Sequence, residues 1–568
     1  MARSDVNDNH EDQMDSGNFR YLIVKPQNGG FKDLVRFLRK KDKESISKFI
    51  ETSDDGVFRE EFMGSVRGDD GDTPEHRWVI FVSILVRKII AICGKPMEWM
   101  GYLVEFILNL LSHNGGLLGL LFNALHGRVV MPQRGSETFI SAIGHLDGRI
   151  DLCENKTVTK ALDEVASGER SIDAEVGSRT LMDLCIMASK LAYENAKVVQ
   201  NIVNIHWKMH FVDFYNCWND YQQENSTQVF ILCDKEKDAN LILISFRGTE
   251  PFDADDWSTD FDYSWYEFPK LGKVHMGFLE AIGLGNRVKA STFQQLLAKN
   301  MKSVNLNGFD ETATASEVSD ISSSLSDSDK QFGSDQSSDS DQAAHADKEK
   351  ILPEMVEKSA YYIVRSKLKK LLKEHKNAKF VVTGHSLGGA LAILFPIVLV
   401  LHEEKEVLKR LLAVYTFGQP RVGNRQLGRF MEAHMDHPVP KYFRIVYCND
   451  LVPRLPYDDK TFLYKHFGKC LYYDSFYIEQ KVDEEPNPNY FGMRFLLPEY
   501  LNAVWELIRS LFLGYTQGPE YKEGWESILF RIVGLAMPGI ADHSPVDYVN
   551  SVRLGREKVI QMSSLETM

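Results

Sequence analysis

The sequence feature that most constrains the fold is a Gly-His-Ser-Leu-Gly run at residues 384–388. It follows a β-rich run, KFVVTG at 379–384, and precedes a helix-like run, LGGALAILF at 387–395. A serine in a G-x-S-x-G motif between a strand and a helix is typical of a nucleophile elbow, in which small flanking residues permit a strained turn. This turn lifts the hydroxyl above the sheet at a helix N-terminus, where amide donors favour a developing anion. The motif therefore predicts that Ser386 is a nucleophile.

Runs rich in β-branched and aliphatic residues recur on both sides of this motif. QVFILC at 228–233 and NLILISF at 240–246 are separated by a charged turn, DKEKDA, which predicts a hairpin. LLAVYTF at 411–417 and YFRIVYC at 442–448 are further strand-like runs, with helical stretches between them. Strands that alternate with helices indicate an α/β fold with a mostly parallel central sheet.

A nucleophilic serine needs a base and an orienting acid, and in this class of site the chain order is serine, acid, histidine. Asp450 lies where a β-rich run ends and a Pro-punctuated loop begins, so it is the best-placed acid; Asp458 and Asp459 are its rivals in a polar turn. His543 lies in a loop after Pro538 and Gly539, and this order and context make it the predicted base. The other downstream histidines, each of which fits an ordinary surface or core position, are His402, His434, His437 and His466.

Acyl transfer also requires hydrogen-bond donors that face the tetrahedral oxyanion. The backbone N–H of Leu387, next to the nucleophile, is the first candidate. Thr249, in the FRGT run that follows an early strand, is the second, because it offers both an amide and a hydroxyl. The alternative interpretation of FRGT is a turn that only ends a strand.

A broken apolar region extends from Trp78 to Leu125. A helix that crosses a bilayer needs about 20 mostly apolar residues, and each apolar piece here is shorter or carries a charged residue. The pattern predicts two or three hydrophobic helices that dip into a lipid surface and return; the alternative is a pair of buried core helices. Trp78, Trp99 and Tyr102 near the segment ends favour a membrane interface.

Charge and cysteine content exclude several function classes. With 66 Lys and Arg against 80 Asp and Glu, the net charge is −14, which disfavours a nucleic-acid partner. The seven cysteines are scattered without zinc-ligand spacing, so neither a metal nor an organic cofactor is implied. The first seventeen residues are polar and contain no secretory pattern, so the catalytic domain is expected to face the cytosol. Residues 310–350 are rich in Ser and Asp, which predicts a disordered acidic insertion.

Six ordered motifs between about Gln228 and Val552 resemble the class 3 lipases, the fungal-type triacylglycerol lipase family. The motifs are FRGT, VHMGF, VTGHSLGGALA, FGQPRVGN, NDLVPRLP and DHSPVDYV. The resemblance implies an α/β-hydrolase fold and a lid within Pro251 to Phe261. It also implies the roles of five residues, namely Ser386 as nucleophile, Asp450 as acid, His543 as base, and Thr249 and Leu387 as the oxyanion hole.

Two apolar regions depart from the compact form of that family: the N-terminal one, and residues 493–515. Together they resemble the plant oil-body triacylglycerol lipases. The implied function is hydrolysis of acylglycerol esters at a lipid droplet or endoplasmic reticulum membrane; the alternatives are a phospholipase A1, a monoacylglycerol lipase or a catalytically silent lipid-binding scaffold. For residues 493–515, an amphipathic cap on the catalytic domain and a lipid-facing surface are equally compatible with the pattern.

These observations predict four regions. Residues 1–73 form a polar N-terminal segment, residues 74–127 form the hydrophobic helices that associate with a lipid droplet or membrane, and residues 128–225 form a helical region before the sheet. Residues 226–568 form the catalytic domain. The expected partners are an acylglycerol substrate and a lipid monolayer or membrane surface, and the sequence makes no prediction of the oligomeric state.

Overall fold

The computed structural model describes residues 19–39, 43–53, 75–153, 178–269, 271–297, 357–435, 439–457, 464–488, 493–513, 521 and 523–557. The predicted acidic insertion at 310–350 lies outside the described residues, as do Asp458, Asp459 and His437. The described strands are β1 (Arg20–Val24), β2 (Ile50–Thr52), β3 (His210–Asn219), β4 (Glu224–Cys233), β5 (Leu241–Phe246), β6 (Trp265–Phe268), β7 (Gly272–His275), β8 (Lys379–His385), β9 (Leu411–Phe417), β10 (Gly423–Asn424), β11 (Tyr442–Tyr447), β12 (Tyr464–Lys465), β13 (Lys469–Tyr473), β14 (Ile478–Val482) and β15 (Arg556–Glu557).

Helices occupy most of the remaining described chain. They are α1 (Phe31–Arg39), α2 (Lys43–Phe49), α3 (Glu75–His113), α4 (Gly116–Leu125), α5 (Ala142–Leu146), α6 (Arg179–Leu191), α7 (Ala196–Asn201), α8 (Ala254–Asp260), α9 (Met276–Ala281), α10 (Ser291–Leu297), α11 (Ala360–Glu374), α12 (Leu387–Leu401), α13 (Lys405–Leu408), α14 (Arg425–Met435), α15 (Met493–Leu513), α16 (Trp525–Gly534) and α17 (Pro545–Leu554). Short 3₁₀ turns occur at Pro26–Asn28, Val452–Arg454 and Ala541–His543, and a π-helical turn at Ile202–His206.

A nine-stranded sheet positions the site, with the strand order β15-β14-β13-β11-β9-β8-β5-β4-β3. Strands β5, β8, β9, β11 and β13 are parallel to their neighbours in this series. Their Val, Ile and Leu side chains are buried on both faces, as is typical of parallel strands covered by helices. The α/β fold with a mostly parallel sheet is therefore confirmed, as is the hairpin of β4 and β5, which pair in antiparallel fashion.

Side chains on alternate strand positions enter two separate cores. One core joins Ile242, Ile244 and Val382 to helices α11 and α12. The other joins Leu241, Leu243 and Val381 to helices α6 and α17. The sheet is thus the middle layer of three.

The sheet begins earlier than the sequence pattern predicts. Residues 128–225 are predicted to be helical, but β3 occupies His210–Asn219 and pairs with β4 along its length. Its sequence, HFVDFYNCWN, is rich in aromatic residues, and aromatic side chains suit a pleated, half-buried strand. The predicted polar segment 1–73 also contains structure, because β1 buries Leu22 and Val24 and pairs with β2 and β6.

The region predicted to form two or three hydrophobic helices forms two, α3 and α4, but α3 lacks the predicted break at residues 94–96. Helix α3 is one helix of 39 residues, about 58 Å long at 1.5 Å per residue, and it continues through Gly94 and Pro96. A side chain at Gly94 would crowd Ala254, and one at Gly101 would overlap Phe252, so both glycines permit close packing rather than ending the helix. Within the described residues, no helix combines the length and the apolar content that a membrane crossing requires.

Candidate active site

Ser386 lies between β8 and α12 with a strained backbone. Its φ is 59° and its ψ is −133°, a conformation that a non-glycine residue adopts only when the surroundings enforce it. A Cβ at Gly384 would lie 2.2 Å from the carbonyl of Gly388, and a Cβ at Gly388 would lie 2.3 Å from the Phe246 oxygen. Only glycine fits at these two positions, so the motif creates the turn for the steric reason that the sequence indicates.

His543, whose side chain is 11% exposed, forms a hydrogen-bonded pair with the buried Asp450. His543 Nδ1 lies 2.8 Å from Asp450 Oδ2 and 3.0 Å from Oδ1. Asp450 follows β11, is fully buried, and also accepts hydrogen bonds from the Val452 amide at 2.9 Å and the Tyr548 hydroxyl. A carboxylate at Nδ1 holds the N–H on that nitrogen, which leaves Nε2 as the basic atom.

His385 connects the serine turn to the segment that carries His543. Its Nε2 lies 3.0 Å from the backbone oxygen of His543, and its ring centroid is 4.5 Å from that of His543. Since a carbonyl can only accept, His385 Nε2 donates, and Nδ1 accepts from the Tyr193 hydroxyl at 2.9 Å. Burial lowers the pKa of His385 well below its usual range, so the ring is neutral. The two histidine segments are therefore held side by side.

The strand ends bring the serine near the pair. The Ser386 amide donates to the Phe417 oxygen at 2.9 Å, and a Cβ on the next residue, Gly418, would lie 2.8 Å from His543 Cε1. Ser386 Oγ and His543 Nε2 are both buried and have no hydrogen-bond partner among the described residues. The structure thus places the three predicted triad residues in adjacent positions, with the serine and histidine not hydrogen-bonded to each other.

Thr249 lies in the turn after β5 that borders the serine. A Cβ at the neighbouring Gly248 would approach Ser386 Cβ to 3.0 Å, which shows how closely this turn approaches the serine. Thr249 Oγ1 donates to Asp260 Oδ2 at 2.9 Å. Burial raises the pKa of Asp260 to about 7, although the Thr249 hydrogen bond and the charge of His543 oppose this shift. Leu387, the other predicted oxyanion residue, is the first residue of α12.

Helix α8 lies within the predicted lid, Pro251 to Phe261, and its last residue, Asp260, accepts the hydrogen bond from Thr249. The Asp253 side chain caps its N-terminus, and the helix packs against α3. Ser83 of α3 donates to the Phe261 oxygen at 2.7 Å, and Arg87 donates to Ser258 at 3.2 Å. Ser386 is 2% exposed, so the site is closed to solvent in this structure.

Four residues of the site were not found by sequence reasoning: Tyr193, Asp260, His385 and Tyr548. His385 and Tyr548 lie inside motifs that were recognised, but their spacing does not show which atoms they contact. Asp260 lies within the predicted lid, but nothing in that sequence marks it as a site residue, and Tyr193 comes from a distant segment without a local signal. Within the described residues, no group of three or more His, Cys, Asp or Glu side chains is arranged to bind a metal ion.

A strained serine at a strand-to-helix turn, beside a hydrogen-bonded His–Asp pair on a mostly parallel sheet, defines a serine ester hydrolase with the α/β-hydrolase fold. Comparison with known proteins agrees with this class. The model of the class 3 lipase family matches residues 314–460. The chain is 68% identical to triacylglycerol lipase OBL1 of Nicotiana tabacum over 558 residues, which are 97% of each chain.

Two further relatives also match along nearly their whole length. Triacylglycerol lipase OBL1 of Arabidopsis thaliana is 57% identical, over 96% of each chain. The protein of that name from Ricinus communis is 46% identical, over 96% of this chain and 97% of the relative. The chain belongs to the class 3 lipase family, and the family resemblance drawn from its six motifs is confirmed.

Proposed function

We propose that this protein is a triacylglycerol lipase that acts at the surface of a lipid droplet through a Ser386–His543–Asp450 triad. The observation that carries the proposal is the hydrogen bond of 2.8 Å between His543 and the buried Asp450, beside a serine with a strained backbone. The three relatives are named triacylglycerol lipases, which supports the choice of substrate.

The proposed reaction is two-step acyl transfer. His543 Nε2 takes the Ser386 proton, the alkoxide attacks the ester carbonyl carbon, and the tetrahedral intermediate expels a diacylglycerol alkoxide that receives the proton from His543. Water then attacks the acyl-enzyme, His543 takes its proton, and the fatty acid leaves as the serine oxygen is reprotonated. Asp450 keeps the imidazole in the required tautomer and stabilises its cation.

The oxyanion is proposed to bind to the backbone amides of Leu387 and Thr249. The Thr249 hydroxyl donates its single proton to Asp260 at 2.9 Å, and this hydrogen bond is proposed to hold the turn that presents the Thr249 amide. Removing one oxyanion donor typically costs about 10²- to 10³-fold in rate. Thr249→Ala keeps the amide, so it should lower kcat less than Ser386→Ala does.

The lipid surface is proposed to be bound by α3 and α4, from the cytosolic side of a lipid droplet or endoplasmic reticulum membrane. Along α3, Ile92 is 66% exposed and Trp99 is 76% exposed, and α4 has no buried residue. A monolayer over oil has no aqueous phase on its far side, so a helix lying in it satisfies its backbone internally without crossing. Because α8 packs against α3, docking of α3 is proposed to displace the lid.

Emulsified substrates test this assignment. The purified protein should release fatty acid from a triolein emulsion faster than from phosphatidylcholine or monoolein emulsions of equal surface area. Ser386→Ala should abolish all three activities. Faster release from phosphatidylcholine would instead indicate a phospholipase, and no release from any ester would indicate a silent lipid-binding protein.

A further inference from the structure

Helix α15 is built with its polar side chains turned inward. Its buried residues include Glu499, Glu506 and Arg509, which are 2%, 1% and 3% exposed. Its exposed residues are large and apolar: Leu497 is 68% exposed and Phe512 is 63% exposed. A surface helix of a protein in water shows the opposite pattern, in which the apolar stripe faces the core.

Helix α16, which packs against α15, repeats this arrangement. Ser527 and Arg531 are buried, whereas Trp525, Leu529 and Val533 are 57%, 51% and 62% exposed. None of the exposed side chains described on these two helices is charged. The α15–α16 face is defined here by the exposed apolar and aromatic residues of the two helices, namely Leu497, Tyr500, Leu501, Trp505, Phe512, Trp525, Leu529 and Val533.

Buried ion pairs fix this orientation. Arg531 donates to Asp547 at 2.8 Å and to Glu523 at 2.6 Å, and its guanidinium lies 3.5 Å from Glu506 of α15. Rotating either helix to bury its apolar side would leave these charges without partners, which is strongly unfavourable in a protein interior. The outward position of the apolar side chains is therefore a property of the fold.

The chemistry of this face fits a lipid phase. An exposed apolar surface of this kind marks a site of interaction. Surfaces that bind another protein usually have a polar rim, whose side chains form hydrogen bonds with the partner. The face instead carries exposed Tyr500, Trp505 and Trp525, whose amphipathic rings suit a membrane interface. It also adjoins the end of α3, since Ser112 lines the same cavity of about 900 Å³ as Leu511 and Ile528.

We propose that the α15–α16 face is a second lipid-docking surface, which lies in the phospholipid monolayer of a triacylglycerol droplet beside the surface formed by α3 and α4. The proposal rests on the function proposed above and extends it to a region whose role the sequence left open. It explains why two helices near the catalytic base expose apolar residues and bury charged ones.

This surface is joined directly to the site. After α16 the chain runs through Gly539, whose carbonyl accepts from the Leu451 amide at 3.2 Å, to the 3₁₀ turn that contains His543. Asp547, the partner of Arg531, precedes Tyr548, which donates to Asp450. The elements that dock would therefore also hold the base and the acid, so docking places the site at the lipid boundary.

A paired substitution, Leu501→Glu with Leu529→Glu, tests the proposal. Flotation with a phosphatidylcholine-coated triolein emulsion measures binding in the Ser386→Ala background, where no product forms. We expect affinity for the emulsion to fall at least about tenfold, because each carboxylate would have to enter an apolar phase. Val288→Glu, at a loop residue that is 78% exposed, is the matched control and should bind like the parent.

Unchanged flotation of the paired variant would overturn the proposal. A parent that sediments as a dimer without lipid, with a monomeric variant, would also overturn it and assign the face to a second copy. Cleavage of soluble p-nitrophenyl butyrate by the paired variant with Ser386 intact reports folding; if this is lost, Leu501→Ser with Leu529→Ser is measured in its place. A parent that floats but leaves triolein intact would refute the proposed substrate, and the flotation comparison would still decide the docking surface.

Discussion

Helices α12 and α15 are both rich in large apolar residues, yet they face opposite surroundings. Every residue of α12 from Leu387 to Leu399 is buried against the central sheet and its neighbours. In α15 the large apolar residues point outward, and Glu506 and Arg509 face the protein. Helix α12 contains no charged residue. The apolar content of a helix therefore does not tell which phase the helix contacts, whereas the side on which its charged residues lie does.

Helix α3 shows both arrangements in one element. Near its start, Val79 and Ile84 are buried in the core with β1 and β6. Further along, Trp99 is exposed, and the fully buried polar residue is Asn109, whose amide donates to the Ile140 oxygen at 2.8 Å. The start of α3 therefore lies in the part of the molecule that has an apolar core. Its later turns lie in a second part, where the large apolar side chains are exposed.

The largest expected effect is that of Ser386→Ala, which removes the proposed nucleophile. Ser386 belongs to the part of the molecule that has an apolar core. We expect kcat/KM for p-nitrophenyl butyrate to fall by at least about 10⁴-fold, while flotation with a triolein emulsion stays unchanged. Ser291→Ala, at the exposed start of α10, is the control and should keep both properties. Hydrolysis within tenfold of the parent rate would assign the nucleophile elsewhere.

Asp450→Asn should follow, with a fall in kcat of about 10⁴-fold. An amide presents an N–H to the ring in place of a carboxylate, so it favours the wrong tautomer of His543 and does not stabilise its cation. Asp151→Asn is a matched control, because Asp151 is an exposed carboxylate 3.3 Å from His206. If steady-state hydrolysis of the soluble ester dropped less than tenfold, Asp450 would not be the orienting acid.

Ile92→Glu combined with Trp99→Glu should affect only the part of the molecule whose large apolar side chains are exposed. We expect triolein emulsion hydrolysis to fall at least about tenfold, because both carboxylates would face lipid, with p-nitrophenyl butyrate cleavage within twofold of the parent. Point changes are preferable to deleting residues 74–127, since deletion would also remove Val79 and Ile84 from the core. Ile205→Glu, at a residue 66% exposed, controls for added surface charge. Equal losses on both substrates would mean that α3 is a structural helix only.

The smallest expected effect is on the pH dependence of stability, and it comes from Asp260. This residue lies at the boundary between the part with an apolar core and the part with exposed apolar side chains. Burial raises its pKa to about 7, above the ordinary value of 3.8. The folded protein therefore holds a proton that the unfolded chain releases, and the resulting stability is present below about pH 4 and is lost as the pH rises toward 7. The Tm of the parent should therefore fall between pH 4 and pH 7, and in Asp260→Asn this fall should be smaller by a few degrees. A change of 1 kcal/mol in stability shifts Tm by about 4 °C or less in a chain of this size. An identical pH dependence of Tm in both proteins would show that Asp260 is ionised when folded.

Local features were predictable from the sequence, and features made by packing were not. The turn at Ser386 follows from glycines that alone fit beside it, and the parallel strands follow from runs of Val, Ile and Leu. The continuity of α3 was missed because Gly94 and Pro96 indicate a break, whereas the glycine is required by Ala254 of another element. The hydrogen bonds of His385 depend on segments far apart in the chain, and that of Asp260 depends on how the turn after β5 packs against α8. The orientation of α15 could not be predicted from the sequence for the same reason, because only the fold shows which residues pair with Glu506.

Covalent labelling by a fluorophosphonate tests most directly that one serine reacts at a lipid boundary. Peptide mapping by mass spectrometry should place the label on Ser386, with none on the Ser386→Ala protein, and labelling should become several times faster when a phosphatidylcholine-coated triolein emulsion is added. A label on any other residue, or a labelling rate that the emulsion leaves unchanged, would contradict the account.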